Sequence, residues 1–409
     1  MQERIKQKKD NKIDVIIPAY KAQKTLLRTL SSIATQTILR DLSVTIVNDC
    51  CPNGDYKQYV DMFSPYMDIR EIKLEKNGGP GVARQYGIDN TDHEFFTCID
   101  ADDTFAGAIA LETLREGIKA SDVVKCCSAT FLQLGENLQQ IIPHTNDMVW
   151  MFGKLYRREF IKQYNIHFND TRANEDTGFN TWVRLLCTHD QEQIRYIQEA
   201  VYYWHNKKDS ITRINDGQYA LDQCFCGWTD NMIYAIQNVQ KVRPFSEPVS
   251  QWIVNVMMQL YYYYIETEAR KQVFAKQNWE YVKKFYHTCY TKIKDQVNEE
   301  MLSMFFSMCS QEKWGSGSLV GIIPPIGIRE FLDKLEGEEY DPDHIYDVWE
   351  EMQQDDNARK LMQNNVTCGV CGADYFKKKT NSLTEDESNN NPQKKFFGNT
   401  KKSKGRKSR

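Results

Sequence analysis

Residues 95–105 read Phe-Phe-Thr-Cys-Ile-Asp-Ala-Asp-Asp-Thr-Phe, and no other stretch limits the fold of this chain as much. An apolar run ending in Asp100, Asp102 and Asp103 has the form of a buried strand that delivers acids to the rim of a sheet. In an open α/β sheet that rim is where ligands bind. Carboxylates this crowded repel one another unless a cation sits among them, and a hard divalent ion with oxygen ligands suits the place. The stretch therefore reads as a metal site with a phosphate beside it. It also reads as an acidic turn capping a helix predicted over residues 106–120, since Asp is a favoured N-cap. The local residues fit both.

The upstream chain supplies the context. Residues 13–18 are a β-branched run, 25–36 carry a helical pattern, and 42–47 are a second β-branched run that ends at Asn48 and Asp49. Strand, helix, strand with short connections is the pattern of a parallel βαβ unit. A third strand over 69–74 leads into Asn-Gly-Gly-Pro-Gly at 77–81, and residues 82–88 read as a helix. The glycines place amides at a helix start where an anion can sit, or they only make a turn. Their spacing is neither that of a dinucleotide fingerprint nor that of a P-loop.

Four motifs in this order carry a resemblance: Val-Ile-Ile-Pro-Ala-Tyr at 15–20, Val-Asn-Asp at 47–49, Asn-Gly-Gly-Pro-Gly-Val-Ala-Arg at 77–84 and Ile-Asp-Ala-Asp-Asp at 99–103. Together they resemble glycosyltransferase family 2, inverting metal-dependent enzymes of the GT-A fold, over about residues 13–213. The resemblance implies an α/β domain with a Rossmann-like mixed, mostly parallel sheet, and a nucleotide-diphosphate sugar as donor. Pro18, Tyr20 and Asp49 would hold the base with Arg84 nearby, Asp100 would contact the ribose, and Asp102 would hold Mn²⁺ or Mg²⁺ bridging the phosphates. UDP-sugars, the commonest donors of the family, are the default. One departure is that Cys50, Cys51 and Pro52 follow Asp49 where the family has Gly-Ser, which puts the loop after Asp49 in doubt.

Displacing a nucleotide from an anomeric carbon with inversion needs a base for the acceptor hydroxyl and a cation for the leaving diphosphate. Glu175 and Asp176 open an amphipathic helix predicted through residue 186. Acids there also serve as plain helix-start charges. The resemblance implies Asp176 as the base, with Glu175 orienting the acceptor or the base. Residues 150–158 resemble the family's acceptor-side segment, which implies contacts from Trp150, Lys154 and Tyr156 around a flexible Gly153, although these aromatics equally read as core. Residues 202–213 resemble the stretch that closes the site. That implies His205 as a further metal ligand and Lys207, Lys208 and Arg213 as diphosphate partners.

Beyond residue 215 apolar positions recur at helical spacing, and an all-helical domain is expected to about residue 360. The least charged stretch, 249–265, is short for a membrane span and contains Gln251, Asn255 and Gln259, so it reads as a buried helix, with no transmembrane segment expected. Cys368 and Cys371 make a knuckle of the kind found in zinc sites with no second pair after it, and structural Zn²⁺ there would need ligands from Cys309, His344 or another chain. From Lys377 the chain is polar and Lys-rich, a composition too poor in apolar surface to fold, and such a basic tail either contacts nucleic acid or only solubilises. The expected organisation is an extension over 1–12, the GT-A domain over 13–214, the helical domain over 215–360, and the knuckle and tail over 361–409.

Twelve cysteines, with adjacent pairs at 50–51 and 126–127, favour reduced thiols and a cytoplasmic setting. The first ten residues are not a signal peptide, having no apolar core. A net charge of −4 argues against a wholly basic nucleic-acid binder. The expected function is transfer of a sugar to a hydroxyl of a glycan or surface-polymer precursor. The alternatives are transfer to hydroxylated bases of DNA and a non-catalytic nucleic-acid-binding protein on the same scaffold. Retention of Asp49, Asp100, Asp102, Glu175 and Asp176 speaks against the last.

Overall fold

The strand β1 (Ile13–Ala19) is buried on both faces, which is why its sequence is nearly all apolar rather than alternating. Through α1 (Leu26–Ala34), β2 (Leu42–Asn48), α2 (Lys57–Phe63), β3 (Asp68–Lys73), α3 (Gly79–Asp89) and β4 (Phe95–Cys98), the chain builds four parallel strands in the order β3-β2-β1-β4. The direction of winding reverses between β1 and β4, making a topological switch point, and ligands of open α/β sheets bind outside the strand ends there. The β1–β4 ladder ends at Ile16 opposite Cys98, so Pro18 lies beyond that pairing and costs it no hydrogen bond.

After β4 come β5 (Thr104–Phe105), α4 (Ala110–Lys119), β6 (Val124–Leu134), β7 (Ile141–His144), β8 (Lys154–Arg157), α5 (Arg158–Gln163), α6 (Glu175–Leu186) and β9 (Gln193–His205). They extend the sheet to nine strands, β3-β2-β1-β4-β8-β6-β9-β5 with β7 on β6, and mix antiparallel pairs into the second half. The helix expected over 106–120 starts later, at Ala110, because residues 104–105 pair with β9 and the chain turns at Gly107, whose φ is +86°. The aspartates therefore do not cap that helix.

The computed structural model describes residues 10–205, 225–302 and 326–347, with short gaps at 53, 136–139, 172–173, 189, 244–245, 270–275, 299 and 346, together with the paired strands β10 (Thr367–Cys368) and β11 (Ala373–Asp374). Lys207, Lys208, Arg213, Cys309, Cys371 and the basic tail lie outside them. The described residues belong to one unit, Met1–Phe376.

The two faces of the sheet bury separate cores. Val15, Ile17 and Phe95 face α1, α2 and α4, whereas Ile16, Val47 and Phe96 face α3, α5 and α6. The second core continues into α7 (Gly227–Val242), α8 (Glu247–Ala269), α9 (Lys276–Thr288) and α10 (Ile328–Gly337). Gly178 of α6 lets Asn231 of α7 approach so closely that a Cβ would meet its Oδ1 at 2.5 Å. The stretch 249–265 is the buried helix expected of it, with Val249, Ile253, Met257 and Leu260 in this core. Among the described residues no helix is long and apolar enough to cross a membrane. Cys50, Cys51, Cys98, Cys126, Cys127, Cys187, Cys226 and Cys289 are all free thiols.

Candidate active site

Asp100, Asp102 and Asp103 stand just past the end of β4 with carboxylate oxygens all within 4.8 Å of one another, the one such cluster of possible metal ligands among the described residues. The turn that carries them is fastened from below. Thr25 just before α1 and Thr29 on it donate to the carbonyls of Ala101 and Asp103, each at 2.8 Å, and Arg28 donates to that of Asp102.

The three acids are not equivalent. Asp103 is buried and committed to protein: Tyr202 donates its hydroxyl at 2.7 Å and His205 its backbone N–H at 2.8 Å. Burial and the neighbouring Asp100 and Asp102 push the Asp103 carboxyl well above the usual range. Asp103 thus holds the turn, while Asp100 and Asp102 are partly open to solvent. The ring Nε2 of His205 pairs with the Thr104 hydroxyl at 2.9 Å, and His205 is not one of the clustered ligands.

Arg84 connects this cluster to the acids of α6. Its guanidinium, 5% exposed, donates to Asp100 Oδ1 at 2.7 Å and to Glu175 Oε1 at 2.8 Å. Burial works against the charge on Arg84, but Asp100 and Glu175 outweigh it and hold the group protonated. Burial also pushes the Glu175 and Asp176 carboxyls up, Asp176 to about 6, with Arg84 opposing the shift in both. Asp176 remains partly exposed and accepts the Thr177 N–H at 2.7 Å. The acids open α6 because Asn174, at φ +59°, turns the chain into it.

On the far side of the switch point, Tyr20 is 45% exposed just beyond β1. Asp49 is buried and answers the question left by the glycine turn: the anion held there is Asp49 itself. Its Oδ1 accepts the Gly78 N–H at 2.7 Å, and its Oδ2 accepts the N–H of Gly79 and the Asn77 amide, each at 2.9 Å. Burial raises the Asp49 carboxyl, and these amides pull it back. The unusual loop after Asp49 is ordered by its cysteines. Cys50 adopts φ +51°, and the buried Cys51 thiol accepts from Lys21 N–H and the Gln23 amide, joining the ends of β1 and β2.

The segment 150–158 is turned inward. Lys154 is fully buried with Nζ 2.6 Å from Asp147, and Tyr156 is buried on Asn180 at 2.6 Å. Gly153 sits at φ +63°, where a side chain would be strained. Trp150 is half-buried in an aromatic group with Phe131, His144, Phe152 and Trp204, and Phe152 stacks on Tyr202 at 5.1 Å. Sequence reasoning missed Asp147, the Asp103–Tyr202 anchor and the Arg84 bridge, since each is a pairing between distant segments.

Comparison with known proteins agrees with this geometry. Residues 14–173 match the model of glycosyl transferase family 2. Glycosyltransferase GlyA of Streptococcus pneumoniae is 25% identical over 261 residues, covering 57% of this chain and 34% of that protein. The poly(ribitol-phosphate) β-N-acetylglucosaminyltransferase TarS of Staphylococcus aureus is 24% identical over 214 residues, 48% of this chain and 36% of TarS. The chain thus spans about a third of the length of these relatives. The crystal structure of S. aureus TarS 1-349 in complex with UDP-GlcNAc superposes with a TM-score of 0.59 at 17% identity, covering 84% of this chain and 92% of that one. Residues 14–173 thus match glycosyl transferase family 2, and the mixed sheet around the switch-point acids shares the GT-A fold of that TarS structure.

Proposed function

We propose that the protein is an inverting glycosyltransferase that moves a sugar from a UDP-sugar to a hydroxyl of a glycan or surface-polymer precursor. The observation that carries this reading is the Arg84 bridge, which sets one acidic group at the end of β4 and a second at the start of α6 on either side of a single buried cation. A donor site needs the first group and an acceptor site the second.

Tyr20, exposed just beyond β1, and Pro18 would contact the base, with Asp49 bracing the glycine turn nearby. Mn²⁺ or Mg²⁺ fits the oxygen-only donor set: Asp102 would hold it, and when bound it would neutralise charge on a leaving diphosphate. Asp176 takes the acceptor proton: its carboxyl, raised to about 6, is ionised near neutrality yet more basic than an ordinary carboxylate. Glu175, locked to Arg84, orients the region rather than moving a proton. The complexes of TarS with UDP and UDP-GlcNAc support uridine nucleotides as the first donors to try. Hydrolysis of a panel of UDP-, GDP- and dTDP-sugars, with Mn²⁺ or with chelator, tests the reading. Metal-dependent release of UDP supports it, and no release from any donor counts against it.

A further inference from the structure

A cavity of about 220 Å³ lies on the outer side of α3, between Gln85, Tyr86 and Asp89 of that helix and Phe168, Asn169 and Asp170 of the loop before α6. Its two walls are tied together. Gln85, which donates to Asp89 on the same helix at 2.9 Å, accepts the Phe168 N–H at 3.0 Å across the cavity. Phe168 stacks on Phe179 of α6 at 4.5 Å, while the Tyr86 ring is 37% exposed. The cavity also adjoins the acid pair. A Cβ on Gly81 would lie 3.6 Å from Phe168 Cβ and 2.6 Å from Glu175 Cγ, so both stand against the same point of α3.

The lining combines two aromatic rings with two carboxylates and two amides, and contains no cation. A phosphate would meet two carboxylates there and no cation to offset them. A pyranose suits it, with its C–H face against an aromatic ring and its hydroxyls donating to Asp and Asn oxygens. We propose that this cavity is a subsite for a neutral sugar unit of the acceptor, set beside Glu175 and Asp176, where the acceptor hydroxyl would lose its proton. The assignment rests on the glycosyltransferase reading for its role, but not for its ligand chemistry.

The test titrates the full chain, without donor, with methyl glycosides of glucose, galactose and N-acetylglucosamine and with glycerol 3-phosphate, followed by saturation-transfer NMR. Saturable binding of at least one neutral glycoside is expected, weakened about fivefold in Tyr86→Ala by loss of one aromatic contact, with glycerol 3-phosphate not binding. The subsite is overturned if no neutral glycoside binds, if Tyr86→Ala binds it equally well, or if the phosphate ester competes. Donor hydrolysis, measured on the same two proteins, is expected to be equal. If sugar binding is present but hydrolysis is absent from the wild type, the acceptor role fails together with the transferase reading, while the sugar site stands.

Discussion

Glu175 packs against Gly81 so closely that a Cβ there would lie 2.6 Å from Glu175 Cγ. The glycine of the Gly-Pro-Gly turn is thus what lets α6 bring its acids against α3. Gly81→Ala must push Glu175 away from Arg84. Overpacking of this kind costs about 1–3 kcal/mol. Urea unfolding should register that loss, and turnover should fall more than donor affinity, because the displaced group is on the acceptor side.

Removing the bridging cation is a harsher test. Arg84→Met leaves Glu175 buried without its partner, a change that costs about 3–5 kcal/mol. The sign of the pH dependence follows from the raised carboxyl. A group that binds its proton more tightly when folded loses stability as pH rises through that range, so the variant should be weakest at pH 8 and recover towards pH 5. Thermal unfolding across that range checks it, and a penalty that grows as pH falls would contradict the Arg84–Glu175 pairing.

Turnover should fall on the acid side as Asp176 is protonated, with a limb near pH 6 rather than near 4. Asp176→Asn should lower transfer by about 10²-fold or more while donor affinity stays within a few-fold. A variant that lost donor affinity but turned over normally at saturation would assign Asp176 to the donor site instead.

The first four strands, the acids past β4 and the acids opening α6 were legible because each is local: β-branched runs, a sharp change from apolar to acidic, and a helical period. Asp103, Tyr202 and Arg84 were not legible in the same way. What Asp103 does depends on a hydroxyl 99 positions away, and what Arg84 does depends on an acid 91 positions away. The inward turn of Lys154 was equally hidden, since a lysine among aromatics reads as a ligand contact until Asp147 is found beside it. Asp14 and Arg158, a buried ion pair linking β1 to α5, gave no sign in the sequence for the same reason.

Asp102 and Asp103 should separate by phenotype. Asp103→Ala removes the acceptor of the Tyr202 hydroxyl proton and of the His205 N–H, at about 1–3 kcal/mol for each lost partner. Asp102→Ala, at a partly exposed position, should leave the unfolding midpoint nearly unchanged. Denaturant curves of the two variants decide between a structural and a ligand-facing acid at each position.

Calorimetric titration of UDP-GlcNAc into the wild type and into Asp102→Ala, each with Mn²⁺ and with excess chelator, tests the central claim most directly. The account predicts tight binding to the wild type only with Mn²⁺, and weak, metal-independent binding to the variant. Equal binding to the wild type in Mn²⁺ and in chelator, or unchanged metal dependence in Asp102→Ala, would contradict it.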